Sequence, residues 1–474
     1  MTPETPARGG LPDGAPGSDA ARMHAITPQT TAVVDQVLEY ARRRALYPDV
    51  PLDRAMRLAD LRRLAGDSIR PDGMGSERAL ALFEHVLAPA CLSTDHPGYL
   101  SFIPSAPSKA ALAFDVVVSA SAIYGGSWME GSGAVFAENE VLRWLAGEFG
   151  LPASAGGVFV QGGTIGNLSA LVTARDHARR RAVDAERPAP ARWAVVCSAE
   201  AHSSIASAAA VMDVDVLTAE VGDDGRLRGD AVRAVLDAHG DRVFAVVATA
   251  GTTNFGIVDD IASVAAAARE AGVWFHVDGA YGLAAMLSPE LRPLFAGVEQ
   301  ADSVIVDPHK WLFAPFDACA LIYRDPVPAI QAHTQKAEYL DTLTDSLDWN
   351  PSDLAIQLTR RARGLPLWFS LAVHGTEQYR VTIADAVSRA KRLADDIRRR
   401  PELSLVREPD LSVVVFRREG WSLAEYEAWS DRLLDEQRAF VVPSSHRGEP
   451  VLRIALISPL TTDELLGEIL DSLA

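Results

Sequence analysis

Residues 303–323 read SVIVDPHKWLFAPFDACALIY and set a lysine, Lys310, between a histidine and a tryptophan inside a largely apolar run. Residues 304–306 read as a buried strand and 318–323 as another. A lysine in that company is either a surface residue at a strand end or a chemical reagent, and lysines are mostly exposed. The rest of the chain decides between the two.

Outward from this stretch, short apolar runs recur: VFVQ from 158, RWAVVCS from 192, VFAVVATA from 243 and VWFHVD from 273. Helical patterns separate them. Alternation of strand and helix from about residue 109 predicts an α/β domain, with a largely parallel sheet covered by helices on both faces. In such sheets ligands bind at the carboxyl ends of the strands. Upstream, Val33, Val34, Val37 and Leu38 fall at helical spacing behind Thr30 or Thr31 as the cap. Further helices fit 52–65 and 75–87. Downstream of about 365 a long helix over 371–397, strands in SLVREPDLSVVVFRRE, a helix over 423–437 and a last strand in PVLRIALIS predict a smaller α+β domain. The expected division is a disordered tail at 1–27, a helical segment at 28–108, a large domain at 109–365 and a small C-terminal domain at 366–474.

The bulk composition narrows the function classes. The chain has 474 residues, 48% hydrophobic and 23% charged, with a formal net charge of −18. That balance argues against nucleic acid or an anionic membrane as a partner. Cys91, Cys197 and Cys319 lie far apart with no CxxC or Cys/His cluster, so neither a disulfide framework nor a metal site is expected. The first residues lack the apolar core of a signal peptide, and no run of about 18 apolar residues suggests a membrane span. A cytoplasmic protein is expected.

The polar residues that end the apolar runs carry the chemistry. VFVQGGTIGN gives a strand, a glycine turn and a helix start, where free backbone N–H groups at Gly163 and Thr164 make a seat for phosphate. A plain structural cap is the alternative. HVDGAYG ends a strand at Asp278, with the small Ala280 beside it. A buried carboxylate there needs a partner such as a protonated ring nitrogen, unless it is a loop or capping aspartate. AHSS brings His202, either structural or set to lie flat on a ring or move a proton. Thr249 ends another strand as a donor or an ordinary loop residue. Lys310 follows 32 residues after Asp278. Together these are the parts that pyridoxal phosphate requires: a lysine for the Schiff base, an aspartate for the pyridine nitrogen and a helix end for the phosphate.

The motifs QGGTIGN, AHSS, HVDGAYG and DPHKW, in this order and at these spacings, resemble the group II pyridoxal-phosphate-dependent decarboxylases, which include aromatic amino acid and glutamate decarboxylases. The resemblance covers roughly residues 30–470. It implies the type I, aspartate-aminotransferase-like fold, with a mostly parallel seven-stranded sheet and a small C-terminal domain, and a homodimer with active sites at the subunit interface. It implies Lys310 as the Schiff-base lysine, Asp278 at the pyridine nitrogen and His202 stacked on the ring. Gly163 and Thr164 would lie near the phosphate, Thr249 and Ala280 would line the cofactor, and His309 would sit beside the lysine. Asp307 receives no role. Arg453 reads either as a grip for a substrate carboxylate or as a structural strand arginine.

The resemblance implies decarboxylation of an L-amino acid to its amine, with a tyrosine on a mobile loop returning a proton to the α-carbon. Here the chain departs from the family. No tyrosine lies between Leu340 and Glu377, and Trp349, Asn350, Pro351, Leu354 and Ile356 occupy the positions expected of that loop. In relatives that lose the tyrosine, oxygen intercepts the reaction and an aldehyde, ammonia and peroxide result. Protonation by His202, His309 or water would preserve amine formation. Transamination, another lyase reaction and a non-catalytic role are further alternatives. Phe102 and Gly126 match regions that line the side-chain pocket in relatives. A phenylalanine wall, and the space left by a glycine where some relatives carry a ring, favour a large aromatic substrate.

Overall fold

β-branched and apolar residues without interruption make strands that are buried on both faces, and helices must then cover them. The computed structural model describes residues 23–103, 106–335 and 349–474, and in it the apolar runs around Lys310 are such strands. Residues 1–22 of the tail expected at 1–27, Pro104 and Ser105 of the FIPS stretch, and the loop portion 336–348 lie outside the described residues. The chain divides into two units, residues 1–92 and 93–474.

The first unit contains α1 (Pro28–Ala45), α2 (Leu58–Ala65) and α3 (Ser76–Leu82). The cap of α1 is Thr27, one turn earlier than the sequence suggested. Pro28 suits the first helical position because its missing N–H has no partner to lose. Thr30 is instead the third helical residue and completes a reciprocal capping box with Thr27. None of the three helices buries a residue fully.

The second unit opens with α4 (Lys109–Ala120) and α5 (Trp128–Glu148). The alternating part follows: β1 (Gly156–Val160), α6 (Gly163–Asp184), β2 (Ala194–Ser198), α7 (Ser203–Met212), β3 (Asp215–Ala219), α8 (Gly229–His239), β4 (Val243–Thr249), α9 (Ile261–Ala271), β5 (Trp274–Asp278), β6 (Ser303–Val306), the short α10 (Pro308–Trp311), β7 (Cys319–Tyr323) and α11 (Val327–His333). The long α12 (Leu365–Arg398) leads to β8 (Leu403–Leu405), β9 (Val413–Arg418), α13 (Leu423–Asp435), β10 (Pro443–His446), β11 (Glu449–Ala455) and α14 (Asp463–Asp471). Among the described residues no helix is long and apolar enough to cross a membrane.

Seven strands form one sheet in the order β1-β7-β6-β5-β4-β2-β3, and four form an antiparallel sheet in the order β10-β11-β9-β8. In the large sheet only β7 runs against the rest. The register aligns Thr249 of β4 with Asp278 of β5, and Asp278 with Ile305 of β6. The carboxyl ends of β4, β5 and β6 therefore meet, and the antiparallel β7 begins at that edge with Cys319 beside Val160. Helix α6 packs closely on this edge because position 166 is glycine. A Cβ there would lie 2.9 Å from both Cys319 Sγ and Ile305 Cγ2.

Two buried carboxylates fix the surroundings. Asp259 accepts from the Thr249 and Leu227 backbone N–H groups at 2.7 and 2.8 Å, bracing the loop after β4. Burial pushes its pKa up to about 7, and the two N–H donors offset only part of that. Glu138 of α5 makes a two-pronged pair with Arg360 at 2.6 and 2.9 Å and accepts the Gly364 N–H at 2.7 Å. Both side chains are fully buried, so the pair ties the 360–364 segment to α5.

An Arg360→Met variant leaves the Glu138 charge buried without a counterion. Its unfolding free energy from urea denaturation is expected to fall by about 3–5 kcal/mol, with much of the loss recovered in a double variant with Glu138→Leu. Asp259 gives a pH signature. Its raised folded pKa means that its stabilising contribution is present in acid and is lost as pH rises towards 7. The stability advantage of the parent over Asp259→Asn is expected to shrink between pH 5 and 8, on the order of a few kcal/mol. A gap that does not change with pH contradicts this.

Candidate active site

Helix α6 begins at the end of β1 with Gly162 as its cap, and no side chain fills the role of acceptor for the first turn. Its free N–H groups and positive dipole end are an anion seat. Gly163 sits against the Asp307 carboxylate and Ala280: a Cβ added to it would lie 3.2 Å from Asp307 Oδ2 and 3.3 Å from Ala280 Cβ. Thr164 is exposed at the same helix start.

Lys310 lies one helical turn beyond Asp307 because α10 starts immediately after β6. Its Nζ is 3.0 Å from Asp307 Oδ2. Burial pulls the lysine pKa down, but the Asp307 and Asp278 carboxylates more than offset it, and the net shift is upward. His309 Nδ1 lies 2.7 Å from the Ala318 carbonyl oxygen and 3.2 Å from the Ala318 backbone N–H, and its Nε2 stands 3.8 Å from Asp307 Oδ2. Burial, followed by the nearby Asp307 carboxylate, drives the Cys319 thiol well up, so it is no nucleophile.

Asp278 is buried at the end of β5. One oxygen accepts from the Asn167 side-chain amide at 2.8 Å, and the other from the Ala280 backbone N–H at 3.2 Å. The second hydrogen of that amide goes to Ser204 Oγ at 2.8 Å. Ser204 in turn meets His202 Nδ1 with its hydroxyl at 2.8 Å and its backbone N–H at 3.2 Å. A backbone N–H can only donate, so Nδ1 of the His202 ring is the acceptor and its proton is on Nε2. His202 caps α7 in this way while its ring stays exposed. Among the described residues the buried Thr249 Oγ1 and Gln161 Oε1 have no hydrogen-bond partner.

The structure thus gathers Gly163, Thr164, Asp278, Ala280, His309 and Lys310 at one edge of the sheet, with Thr249 beside Asp278 and His202 joined to it through Asn167 and Ser204. Lysine, paired carboxylate, uncapped helix end and an orphaned hydroxyl fit a phosphorylated, ring-nitrogen cofactor that condenses with an amine. The two expected pocket residues have different surroundings. Phe102 has an exposed ring 6.2 Å from that of Phe440. Gly126 contradicts the expectation of open space: a Cβ there would lie 2.4 Å from the Tyr124 hydroxyl, so the tyrosine ring of the same chain fills the room. Arg453 gives its three nitrogens to the carbonyls of Asn254, Phe102 and Thr253. Its role in this chain is to tie the second sheet to the loop after β4. Asn167 and Ser204 were missed as site residues. The signal was present, since Asn167 lies four residues after Gly163, on the same helical face.

The Pyridoxal-dependent decarboxylase conserved domain matches residues 63–419. An aromatic-L-amino-acid decarboxylase of Bacillus atrophaeus is 28% identical, over 86% of this chain and 87% of that protein. An L-2,4-diaminobutyrate decarboxylase of Rhizobium meliloti (strain 1021) is 31% identical, over 86% and 83%. Among solved structures, that of Oryza sativa TDC with PLP and tryptamine superposes with a TM-score of 0.85 at 25% identity, covering 97% of this chain and 99% of that one. Rhodiola rosea 4-hydroxyphenylacetaldehyde synthase shares the fold, with a TM-score of 0.81 at 22% identity over 97% and 98%. With a lysine, a carboxylate and an anion seat converging at the strand ends, this chain belongs to the pyridoxal-dependent amino acid decarboxylase family.

Proposed function

We propose that the protein removes the carboxylate of an aromatic L-amino acid as CO₂ and releases the amine, working as a cytoplasmic homodimer. The observation that carries the reading is the meeting of Lys310, Asp278 and the uncapped start of α6 at one strand edge. Bound pyridoxal phosphate supplies a carbonyl that condenses with amines and a ring that accepts the electrons released with CO₂. Lys310 holds and releases the cofactor through Nζ. The Asp278 carboxylate would hold the ring nitrogen and keep its proton in place. The first turn of α6 at Gly163 and Thr164 binds the phosphate. Thr249 and Ala280 line the ring, and His309 steadies the lysine side. His202, with its proton on Nε2, would cover the ring and could give that proton to the α-carbon.

Phe102 is the aromatic wall, its backbone held by Arg453 to the Thr253–Asn254 turn. Names among the relatives span aromatic amino acid, histidine and diaminobutyrate decarboxylases, so the substrate class rests on this wall. The homodimer is supported by α1, which leaves Val33, Val34, Val37 and Leu38 substantially exposed.

One observation favours a second outcome. The stretch from Leu340 to Glu377 holds no tyrosine, and three of the residues at the loop positions are committed elsewhere. Trp349 Nε1 donates to the Gly157 carbonyl at 2.8 Å, Asn350 accepts the Trp128 backbone N–H at 2.8 Å, and Leu354 is buried. Without a proton donor, O₂ takes up the electron pair left by CO₂. Amino acid, O₂ and water then give aldehyde, CO₂, ammonia and hydrogen peroxide.

Lys310→Ala is expected to lose the visible absorption of the bound cofactor and on the order of a thousandfold or more in CO₂ release. Asp278→Asn is expected to lose about a hundredfold or more while remaining folded. In air, with tryptophan, phenylalanine, histidine, 2,4-diaminobutyrate and glutamate as separate substrates, CO₂ with equal amine and no peroxide is expected for the aromatic ones. CO₂ matched by peroxide and aldehyde establishes the second outcome. Turnover of glutamate or diaminobutyrate without aromatic activity overturns the substrate assignment.

A further inference from the structure

Behind Asn167 lies a buried histidine to which the chemistry above gives no part. His276 sits two residues before Asp278 on β5, so both side chains leave the same face of the strand. It is fully buried. Its Nε2 is 2.8 Å from Asn167 Oδ1, and its Nδ1 is 2.8 Å from Ser303 Oγ. Ser303 Oγ also accepts from Trp274 Nε1–H at 2.8 Å.

The donors and acceptors of this chain allow one assignment. Asp278 accepts, so the Asn167 nitrogen faces it and the Asn167 oxygen faces His276. That oxygen accepts, so His276 carries its proton on Nε2, and its Nδ1 must accept from Ser303. Ser303 accepts from Trp274 with its oxygen and keeps its hydroxyl hydrogen to donate. Polarity then runs in one direction, from Trp274 through Ser303 and His276 to Asn167. There it forks: one amide hydrogen goes to Asp278, the other through Ser204 to His202. Burial supports the neutral ring, pulling the His276 pKa down to about 4, while Asp278 opposes the shift without cancelling it.

We propose that His276 is a positioning residue that locks the Asn167 amide, and through it sets both the orientation of Asp278 and that of the Ser204 hydroxyl that meets His202. An amide turned over would present its oxygen to the Asp278 carboxylate and leave Ser204 without its donor. The Nε2–H of His276 prevents this, because the turned amide would set two donors against each other. One buried histidine thus couples the group beneath the cofactor ring nitrogen to the group above its face. The inference rests on the assignment of Asp278 to the ring nitrogen.

The test uses the full chain reconstituted with pyridoxal phosphate, and two readouts besides turnover. These are the cofactor dissociation constant and the ratio of the cofactor's two long-wavelength absorption bands. His276→Phe is expected to weaken cofactor binding about tenfold and to change the band ratio. His276→Gln, whose side-chain nitrogen reaches the imidazole Nε2 position and donates to Asn167, is expected to restore both to within about threefold of the parent. His276→Phe equal to the parent in both readouts overturns the inference, and so does His276→Gln as impaired as His276→Phe. Should His276→Phe fail to fold, Ser303→Ala asks the same question by removing the donor to Nδ1. It is expected to weaken cofactor binding and, in ¹⁵N-histidine-labelled protein, to shift the Nδ1 resonance of His276, and unchanged cofactor binding overturns the inference. Asp278→Asn separates this from the reading beneath it. If that variant leaves the band ratio unchanged, the ring-nitrogen assignment falls; if it shifts the ratio while His276→Phe does not, only the role of His276 falls.

Discussion

The buried carboxylate of Asp278 is the constraint that the rest of the site answers to. A carboxylate at the end of an interior strand is costly unless every lone pair is met. Asn167 meets one side and the turn at Ala280 the other. Meeting it dictates much of the large sheet. Helix α6 must approach closely enough for Asn167 to reach β5, and the glycine at 166, pressed on Ile305 and Cys319, permits that. Strand β4 must end level with β5, and Asp259 secures this by holding the Thr249 backbone. The lysine follows from the neighbouring strand: β6 ends, α10 turns once, and Lys310 comes up beside two carboxylates.

The interior strands were legible because nothing competes with burial there. VFAVVAT and WFHVD are buried at every position, and uninterrupted apolar runs of that length have few other uses. The edge strand β3 was not legible. Its sequence, DVLTA, alternates between buried and open positions and begins with Asp215, whose carboxylate pairs with Arg192 and Arg242. Those arginines come from other segments, so the sequence of β3 carries no sign that its acid is satisfied. The cap of α1 was misplaced by one turn for a related reason. Thr27, Thr30 and Thr31 all have the chemistry of a cap, and only Pro28 marks which of them precedes the helix.

At the site, the residue types were legible and their partners were not. A lysine after DPH and an aspartate after WFHV announce themselves by being charged in apolar company. Asn167 does not, because an asparagine within a helix is unremarkable until its amide is seen bridging Asp278 and Ser204. Gly126 shows the opposite error. A missing side chain suggests space, but packing density leaves little space unclaimed, and the Tyr124 ring of the same segment fills it. Arg453 likewise has the charge to grip a carboxylate, but three backbone carbonyls hold its nitrogens.

These distinctions separate what all reactions of such a site share from what selects among them. An anion seat, a lysine and a buried carboxylate activate an amino acid without deciding whether its α-carbon regains a proton. That choice depends on donors above the ring plane. On the reading proposed here the donor is His202, whose proton is on Nε2 because Ser204 occupies Nδ1 from two sides. A histidine fixed in one tautomer by its own helix cap cannot exchange the proton it presents through Nδ1. It must be replenished from the open side of the site, where His202 is exposed. On that reading, access of water and oxygen to that side is the physical variable on which amine or aldehyde would depend.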